Sequence, residues 1–591
     1  MSSSNNPRIS LDDSSTQAST SRIDEPANMS TLAHSQPLDH SLSPDAESLK
    51  GKHTYAVNTL AQDAQEATDK EQKMTLREGI RMYPRAIMWS VIISTCIAME
   101  GYDLSLLGNF YAFPQFNKRF GVMGPDGSYQ VPARWQSGLS NAANCGEILG
   151  LALNGLITER LGYKKVVLGS LVMLACLVAV SVTATRVEQL LVYYLLAGIP
   201  WGIFQTLTIT YASEVMPVAL RQYLTTYVNF CWGLGQVIGV GVVKSQLGRT
   251  DNMAWQLPYY LQLMWPPILG GLILFAPESP WWLVRHGKYE EAKKSLHRLT
   301  DTKKQTDFDA DQTIAMMKHT IEMETQITEG ASYLDCFRGS NLRRTEITCM
   351  VWAIQNLSGN SFTGYSTYFF QQAGLSTESS YSFALGQYGI NMIGVFGAWF
   401  LMSRGIGRRT LYFYGLCGLF IMLLAIGFLS LAPASASTTT AYATGGLMLG
   451  WACIYQCTVG TVAYSLVGEI PSRRLLIKSV ALGRNAYNVV GIACSVLTPY
   501  MVNPTAWNWS KKTAFFWAGA CFLCIIYTYF RIPEPRGRSF AELDYLFENR
   551  ISARKFASTE VDVFHSELSD KAVARAMEES KDLPVHVEER S

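Results

Sequence analysis

The chain has 591 residues, of which 48% are hydrophobic and only 16% are charged, and its mean hydropathy is +0.08. Soluble domains carry about 25% charged residues, so this composition favours an integral membrane protein. The formal net charge of +2 excludes the global basic field of nucleic-acid-binding proteins, and the 12 cysteines show neither CxxC pairs nor Cys/His metal spacing.

Both ends of the chain are polar. Residues 1–80 are rich in Ser, Asp and Gln and contain no apolar signal-peptide core, which predicts a disordered N-terminal tail. Residues 533–591 predict a second tail of the same kind, polar and mostly acidic. The charged interval 283–345 predicts a central loop with amphipathic helices.

Apolar stretches of about 20 residues, the length of helix that crosses a bilayer, recur between the two tails. Six precede the central loop and six follow it, which predicts an all-α membrane protein with an N-terminal half at 81–282 and a C-terminal half at 346–532. In chain order, the predicted spans 1 to 12 are 86–111, 137–158, 166–184, 189–212, 222–244, 257–276, 346–371, 382–402, 410–431, 441–466, 477–501 and 512–531.

Basic residues predict how these spans are oriented. The loops after spans 2, 4, 8 and 10 carry Lys or Arg, whereas the loops after spans 7 and 9 carry none. Because Lys and Arg are enriched in cytoplasmic loops, we expect both tails and the central loop to lie in the cytoplasm. The sequon Asn508-Trp509-Ser510 would then face outside, but it lies so close to the membrane that we expect it to remain unused.

Three short patterns occur in both halves and in the same order. They follow spans 2 and 8, spans 4 and 10, and spans 6 and 12. Two related six-helix halves are typical of transporters, which hold a substrate between the halves near the midplane. No nucleophile–base pair, phosphate loop or metal cluster indicates an enzyme. The three pairs are Gly162-Tyr163-Lys164-Lys165 with Gly407-Arg408-Arg409-Thr410, Glu214-Val215-Met216-Pro217 with Glu469-Ile470-Pro471, and Pro277-Glu278-Ser279-Pro280 with Pro533-Glu534-Pro535.

At these motifs the chain resembles the sugar porter family of the major facilitator superfamily, over residues 86–548. Within that family, Met99-Glu100-Gly101-Tyr102-Asp103 and Thr461-Val462-Ala463-Tyr464-Ser465 resemble fungal maltose and α-glucoside permeases. The resemblance implies a major facilitator fold and a plasma-membrane sugar:proton symporter, with the proton as coupling ion and no other cofactor. We expect a monomer whose tails are available to regulatory proteins.

Three acidic residues lie inside predicted spans. Glu100 and Asp103 are one helical turn apart in span 1, and Glu147 lies near the middle of span 2. An ionised carboxylate in hydrocarbon costs about 2.5 kcal/mol or more, so these groups should face the protein interior or a cavity. We predict that they carry the coupled proton, Asp103 first among them, although a purely structural polar network is the alternative.

The resemblance supports the proton role, with one departure. Many proton-coupled relatives place an Arg in helix 4 beside the acidic residue of helix 1, and here that register holds Tyr194. The identity of the group that discharges Asp103 therefore stays open, and Glu147 is a candidate to share the proton of Asp103.

Span 7 carries amides for sugar hydroxyls and aromatic rings for the apolar faces of a sugar. By resemblance, Gln355, Asn356 and Tyr365 fall on the family's sugar contacts, while the amide of Asn360 is displaced by one residue. That displacement could reshape the pocket for a larger sugar. Further predicted sugar contacts, for which polar packing between helices is the alternative, are Asn229, Asn485, Asn488 and Tyr464.

Charged residues also cluster at the predicted cytoplasmic ends of the helices. We expect pairs between the two halves to close this side in the outward-facing state and to separate when the protein opens inward. Charge that only fixes orientation is the alternative. The residues of this predicted clamp are Glu159, Arg160, Glu214, Arg221, Arg408, Arg409 and Glu469.

Together these observations predict proton-coupled sugar uptake, with a maltose-like α-glucoside as the first candidate. A β-linked disaccharide such as lactose or cellobiose stays open as the substrate. A transporter-like sugar sensor and a facilitator for hexoses or polyols are the other hypotheses. Sugar-dependent alkalinisation of the medium distinguishes the symporter from both.

Overall fold

The computed structural model describes residues 76–124, 127–216, 218–300, 309–328, 332–360, 364–433, 437–536, 538 and 540–559. All of them belong to one unit, Thr59–Ser591. Helices dominate, and the predicted all-α fold class is confirmed. A short antiparallel hairpin pairs Val122–Met123 with Tyr129–Gln130.

Twelve helical segments match the twelve predicted spans in order, and nine of them are continuous helices. Among the described residues, seven segments are long and apolar enough to cross a membrane by length and composition alone. The continuous ones are span 1 (Pro84–Phe110), span 2 (Ala133–Leu161), span 3 (Tyr163–Val182), span 4 (Val187–Val215), span 5 (Val218–Ser245), span 8 (Thr377–Ser403), span 9 (Arg408–Leu429), span 11 (Leu476–Val502) and span 12 (Thr513–Arg531).

Three spans are interrupted. Span 6 breaks before Pro266, which lies in the first turn of the helix Trp265–Ile273, where the missing backbone N–H of proline is tolerated. Span 7 breaks at Gly359, whose φ of 104° lies in the left-handed region that glycine permits. Their parts are Met253–Gln262 and Trp265–Ile273 in span 6, Gly339–Gln355, the π-turn Asn356–Asn360 and Ser366–Gln372 in span 7, and Ser437–Tyr455, the π-turn Gln456–Gly460 and Thr461–Glu469 in span 10.

Shorter helices connect the spans and flank them. Two of them, and the end of a third that begins at Pro280, lie in the interval 283–345, where the sequence predicts a loop with amphipathic helices. The shorter α-helices are Leu76–Met82, Pro114–Phe120, Pro280–Arg285, Tyr289–Leu299, Ala310–Thr328 and Phe540–Glu548, and the 3₁₀ turns are Tyr333–Phe337, Arg473–Leu475, Ser510–Lys512 and Ala553–Lys555.

The expectation of disordered tails is wrong at their inner boundaries. Residues 76–80 belong to the helix Leu76–Met82, which packs on span 5. Residues 540–559 are also ordered, because Leu546, Phe547 and Phe556 are buried against the C-terminal half. A few apolar residues on one helix face suffice for docking, although the segment is polar on average. Residues 1–75, 537, 539 and 560–591 of the predicted tails lie outside the described residues.

Spans 2 and 4 approach each other closely. A Cβ added at Gly202 of span 4 would collide with the backbone carbonyl oxygen of Glu147 in span 2, and one at Gly146 would collide with that of Leu195. Glycine is therefore required at both positions for this crossing. The crossing brings the backbone of Glu147 against span 4.

The two halves contact each other at the end of the bundle that carries residues 109–131, here called the hairpin end. There, the Tyr381 hydroxyl donates to the Asn109 carbonyl oxygen at 2.6 Å, and the Tyr368 hydroxyl donates to Gln130 Oε1 at 2.9 Å. Asn503 Nδ2 donates to the carbonyl oxygen of Val131 at 3.0 Å. The opposite end carries the predicted clamp and is called the clamp end.

Candidate functional site

The three predicted carboxylates are buried within the N-terminal half. The exposed fraction is 0% for Glu100, 2% for Asp103 and 7% for Glu147. None of them faces lipid, as the cost of an ionised group in hydrocarbon requires. Their burial meets the structural expectation, while their role in proton transfer stays a prediction.

An amide of span 4 joins two of these carboxylates. Gln205 Nε2 donates to Glu100 Oε1 at 2.8 Å and to Glu147 Oε2 at 3.3 Å. Its Oε1 accepts from Arg484 Nη2 at 2.9 Å. An arginine side chain can only donate, so the amide oxygen must face Arg484 and the amide nitrogen must face the carboxylates. Gln205 therefore connects the acidic groups of the N-terminal half to a cation of span 11.

Arg484 is held against aromatic rings of the C-terminal half. Its guanidinium carbon lies 4.6 Å from the ring centroid of Tyr487 and 5.2 Å from that of Trp352. Such faces attract a cation and orient it. Arg484 supplies a positive charge near the carboxylates, which a tyrosine at position 194 cannot do. The Tyr194 hydroxyl instead pairs with that of Tyr259 at 2.7 Å.

Asp103 lies apart from this amide bridge. Its Oδ2 accepts from Trp201 Nε1 at 3.1 Å, and its Oδ1 is buried without a hydrogen-bond donor among the described residues. The structure gives no hydrogen bond between Asp103 and Glu147 within the described chain. Glu147 shares its amide donor with Glu100 instead, so the idea that it shares a proton with Asp103 lacks support from the geometry.

Gln205, Arg484 and Trp201 are the residues that sequence reasoning missed. Arg484 carried a usable signal, because a basic residue inside predicted span 11 is as unusual as an acidic one inside span 1. Gln205 and Trp201 carried none, since single polar or aromatic residues are common in membrane helices.

The predicted span 7 amides hold the interrupted helices together. Gln355 Nε2 donates to the Gly460 carbonyl oxygen of the span 10 π-turn at 2.9 Å. Asn356 Nδ2 donates to the Tyr487 carbonyl oxygen of span 11 at 3.0 Å. Isolated π-turns often occur at functional sites, and here Gln355, directly before the span 7 π-turn, bonds to the span 10 π-turn. The half-buried Asn360 ends the span 7 turn.

Aromatic rings from spans 7, 10 and 11 form one surface beside Arg484. The ring centroids of Trp352 and Tyr464 are 4.7 Å apart, and those of Trp352 and Tyr487 are 5.7 Å apart. Tyr464 is 45% exposed, so its ring is accessible. This aromatic surface, defined by Trp352, Tyr464 and Tyr487, adjoins the amides and the cation.

The other predicted sugar contacts are more scattered. Asn488 is buried and its Nδ2 has no acceptor among the described residues, whereas Asn485 is exposed and Asn229 is half-buried. Tyr365 lies near the hairpin end, where its hydroxyl contacts Ser140 Oγ of span 2 at 2.7 Å. The structure thus groups Gln355, Asn356 and Tyr464, and it places Tyr365 in the contact between halves.

At the clamp end, one predicted acid of each half forms an ion pair, Glu214 with the central loop and Glu469 within the C-terminal half. Glu214 pairs with Arg285 at 2.6 Å, and Glu469 pairs with Arg408 at 2.8 Å. The predicted pairs between halves do not occur among the described residues. The reason is geometric, since the halves contact each other at the hairpin end, Glu214 is paired with the central loop, and Glu469 is paired within its own half.

The remaining clamp residues pair with no residue of the other half in the described part of the chain. Glu159 and Arg160 are exposed, and Arg409 Nη2 donates to the Tyr529 carbonyl oxygen at 2.9 Å. The side chain of Arg221 lies outside the described residues.

In each half, a glutamate that follows the sixth span of that half caps the N-terminus of its third span. Glu278 accepts from the backbone N–H of Tyr163 at 2.9 Å and of Lys164 at 3.3 Å. Glu534 accepts from the backbone N–H of Arg408 at 2.9 Å and of Arg409 at 3.0 Å. Burial raises the pKa of Glu278 although these amides favour its ionised form. The repeated motifs are therefore equivalent in structure as well as in sequence.

A twelve-span bundle of two similar halves, with polar groups gathered where the halves meet, defines a multi-pass membrane transporter rather than an enzyme. The chain belongs to the sugar (and other) transporter family, whose family model matches residues 89–547.

Relatives from Saccharomyces cerevisiae are similar over most of their length. The chain is 39% identical over 526 residues to a general alpha-glucoside permease, covering 87% of this chain and 84% of the relative. It is 38% identical over 536 residues to maltose permease MAL31, covering 90% of this chain and 87% of that relative. The inward-open xylose transporter XylE from E. coli matches with a TM-score of 0.64 at 19% identity, covering 78% of this chain and 99% of that one. The resemblance inferred from the motifs is confirmed.

Proposed function

We propose that this protein takes up an α-glucoside such as maltose together with protons across the plasma membrane, by alternating access. Both termini and the clamp end lie in the cytoplasm, and the protein works as a monomer. The substrate class follows from the similar permeases, whose names specify alpha-glucosides and maltose. The orientation follows from the Lys and Arg of the clamp-end loops.

The observation that carries the proton coupling is the hydrogen-bonded bridge from Glu100 and Glu147 through Gln205 to Arg484. This bridge joins the two halves near the middle of the bundle. When the carboxylates are ionised, their attraction for Arg484 draws span 11 toward spans 1, 2 and 4. Protonation removes that charge, so it lowers the cost of separating the halves at the clamp end.

This charge dependence gives the direction of transport. A proton taken from outside favours opening at the clamp end, which releases sugar and proton into the cytoplasm. The deprotonated carboxylates then attract Arg484 again and favour closure of that end. A ligand shifts such an equilibrium only by its differential affinity for the two states, and here the charge on the bridge supplies the difference. Asp103, bound to Trp201, is a second proton carrier on the same helix as Glu100.

The sugar site is proposed beside this bridge. Gln355 and Asn356 offer amide groups, and the aromatic surface of Trp352, Tyr464 and Tyr487 offers flat faces for the C–H surface of a sugar. Because Arg484 contacts that same surface, occupation by sugar and the charge of the bridge can influence each other directly. In this structure the halves contact each other at the hairpin end, and the bridge near the middle of the bundle is formed at the same time.

The proposal is tested with cells that express the protein in a transport-deficient host. Maltose addition should alkalinise the medium, and labelled maltose should accumulate against its gradient until a protonophore is added. Unlabelled α-linked disaccharides should compete with the label, and lactose and cellobiose should not. Uptake that survives the protonophore would exclude symport. Stronger competition by the β-linked sugars would overturn the substrate assignment alone.

A further inference from the structure

A cavity of about 440 Å³ lies at the clamp end, away from the proposed sugar and proton sites. Its walls come from the start of span 7, the end of span 12 and the C-terminal segment that follows the helix Phe540–Glu548. That last segment belongs to the interval 540–559, which the sequence predicts to be disordered. The cavity thus exists only because this segment docks on the bundle.

The charge of the cavity wall is strongly unbalanced. Three arginines line it, namely Arg343, Arg531 and Arg550, and none of the lining residues is acidic. Arg531 is paired with Glu346, so it is largely neutralised. Arg343 donates from Nη1 to the Ile551 carbonyl oxygen at 2.8 Å, while its buried Nε has no acceptor among the described residues. Two positive charges are therefore left without a carboxylate partner in the described wall.

Arg343 is rigidly placed despite its lack of a counter-ion. Its guanidinium carbon lies 5.3 Å from the ring centroid of Phe547 and 5.8 Å from that of Phe556. Packing against these rings already restricts the conformations of the Arg343 side chain, so less conformational entropy is lost when an anion binds.

A helix N-terminus adds backbone donors to the same wall. The helix Gly339–Gln355 begins in the cavity, and its N-cap residue Arg338 makes no side-chain capping hydrogen bond. The first backbone N–H groups of a helix lack intrahelical acceptors and carry partial positive charge. Together with the hydroxyl of Ser340 they complement a phosphate group.

The membrane boundary identifies the source of that phosphate. Phe530, in the last turn of span 12, lines the cavity and is 57% exposed. An exposed aromatic ring at the end of a span is typical of the membrane–water interface. The cavity therefore lies where the headgroup of a lipid would lie, with its acyl chains beside span 12.

We propose that this cavity binds the phosphate-bearing headgroup of an anionic lipid of the cytoplasmic leaflet. The occupant links span 7, span 12 and the C-terminal segment. The assignment of the phosphate to a lipid rests on the proposed function, in which the clamp end faces the cytoplasm. Anionic lipids concentrate in the cytoplasmic leaflet.

The test measures binding to the purified full-length protein in a neutral detergent. The probes are dioctanoyl phosphatidylinositol 4-phosphate, dioctanoyl phosphatidylcholine and inorganic phosphate, each titrated by native mass spectrometry. The phosphoinositide should bind saturably and the other two should bind much more weakly. Arg550→Gln should weaken phosphoinositide binding about fivefold, the factor expected for one basic side chain near a headgroup. The exposed Lys294→Gln, on another clamp-end helix, is the matched control and should bind like the unsubstituted protein.

Arg343→Gln should weaken binding at least as much, but it also removes the contact with Ile551. Ser340→Asp therefore provides an independent variant, because it places a negative charge in the cavity while leaving Arg343 intact. Equal affinities for Arg550→Gln, Ser340→Asp and Lys294→Gln would overturn the site. Inorganic phosphate that binds as tightly as the lipid would overturn the lipid source in favour of a soluble phosphate compound.

Maltose uptake by the same variants separates this proposal from the transport function. Loss of lipid binding in Arg550→Gln with intact maltose uptake supports the site as an addition to a working transporter. Specific lipid binding by a protein that transports no α-glucoside would overturn the proposed function and leave the site standing.

Discussion

The two halves of this bundle are alike at the clamp end and different at the centre. In each half a glutamate, Glu278 or Glu534, accepts hydrogen bonds from the first backbone N–H groups of a helix. At the centre, the N-terminal half carries the buried carboxylates on continuous helices. The C-terminal half carries amides, aromatic rings and Arg484 around two π-turns. The repeated motifs therefore form equivalent helix caps, and the candidate proton and sugar residues lie in the parts where the halves differ.

A physical reason underlies this division of the centre. A proton carrier needs a fixed, water-poor environment, which continuous close-packed helices provide. Sugar recognition needs directed polar groups, and an interrupted helix frees backbone groups, such as the Gly460 carbonyl oxygen, to orient an amide side chain. Four variants, three at the centre and one at the clamp end, test this comparison and follow in order of decreasing expected effect.

Asp103→Asn should abolish maltose accumulation against a gradient, because an amide cannot carry the proton. Exchange of labelled for unlabelled maltose should persist, since Trp201 can still donate to the Asn oxygen. Both rates are measured in proteoliposomes with an imposed pH gradient. Asp251→Asn changes an exposed acid outside the spans and should behave as the unsubstituted protein. Full uphill uptake by Asp103→Asn would remove this residue from the mechanism.

Gln205→Leu should reduce the accumulation ratio about tenfold or more, because hydrogen bonds to charged groups contribute about 1.5–3 kcal/mol each. The substitution leaves Glu100, Glu147 and Arg484 in place but removes the amide that joins them. The ratio of internal to external labelled maltose at steady state measures the effect. Gln246→Leu, after span 5, is the matched control. An unchanged ratio would mean that the amide plays no part in coupling the halves.

Gln355→Ala should raise the apparent KM for maltose about fivefold to tenfold, because one amide hydrogen bond is worth about 1 kcal/mol and the helix contact with Gly460 is also lost. Initial uptake rates over a range of maltose concentrations give the value. Gln371→Ala, in the same span but near the hairpin end, should leave KM unaltered. If both variants keep the original KM, the sugar site lies elsewhere.

Glu278→Gln should have the smallest effect, a change in the pH dependence of unfolding. Burial raises the pKa of Glu278, so the folded protein holds this proton to higher pH than the unfolded chain does. The free energy of unfolding therefore falls as pH rises from the ordinary carboxyl range through the raised pKa. Thermal unfolding of the detergent-solubilised protein across that range should lose this slope in Glu278→Gln. If the pH dependence of unfolding is unaltered in Glu278→Gln, titration of other groups causes it.

Much of the fold was predictable because its signals are local. All twelve spans follow from apolar length, the repeated halves follow from three motif pairs, and Glu100, Asp103 and Glu147 stand out as acids in apolar stretches. The docked segment 540–559 escaped prediction, because a few apolar residues decide its placement while its average composition is polar. Of the candidate site, the carboxylates and span 7 amides were named in advance, and the groups that connect them were not.

The sequence by itself therefore determined the number and order of the spans, the family and the chemical types of the site residues, since each depends on residues close together in the chain. Only the tertiary structure decided which groups meet. Gln205 and Arg484 are 279 residues apart, and no local pattern predicts that they share a hydrogen bond. The close crossing of spans 2 and 4 at glycines and the contact of the halves at the hairpin end bring the acids, the amide and the cation together.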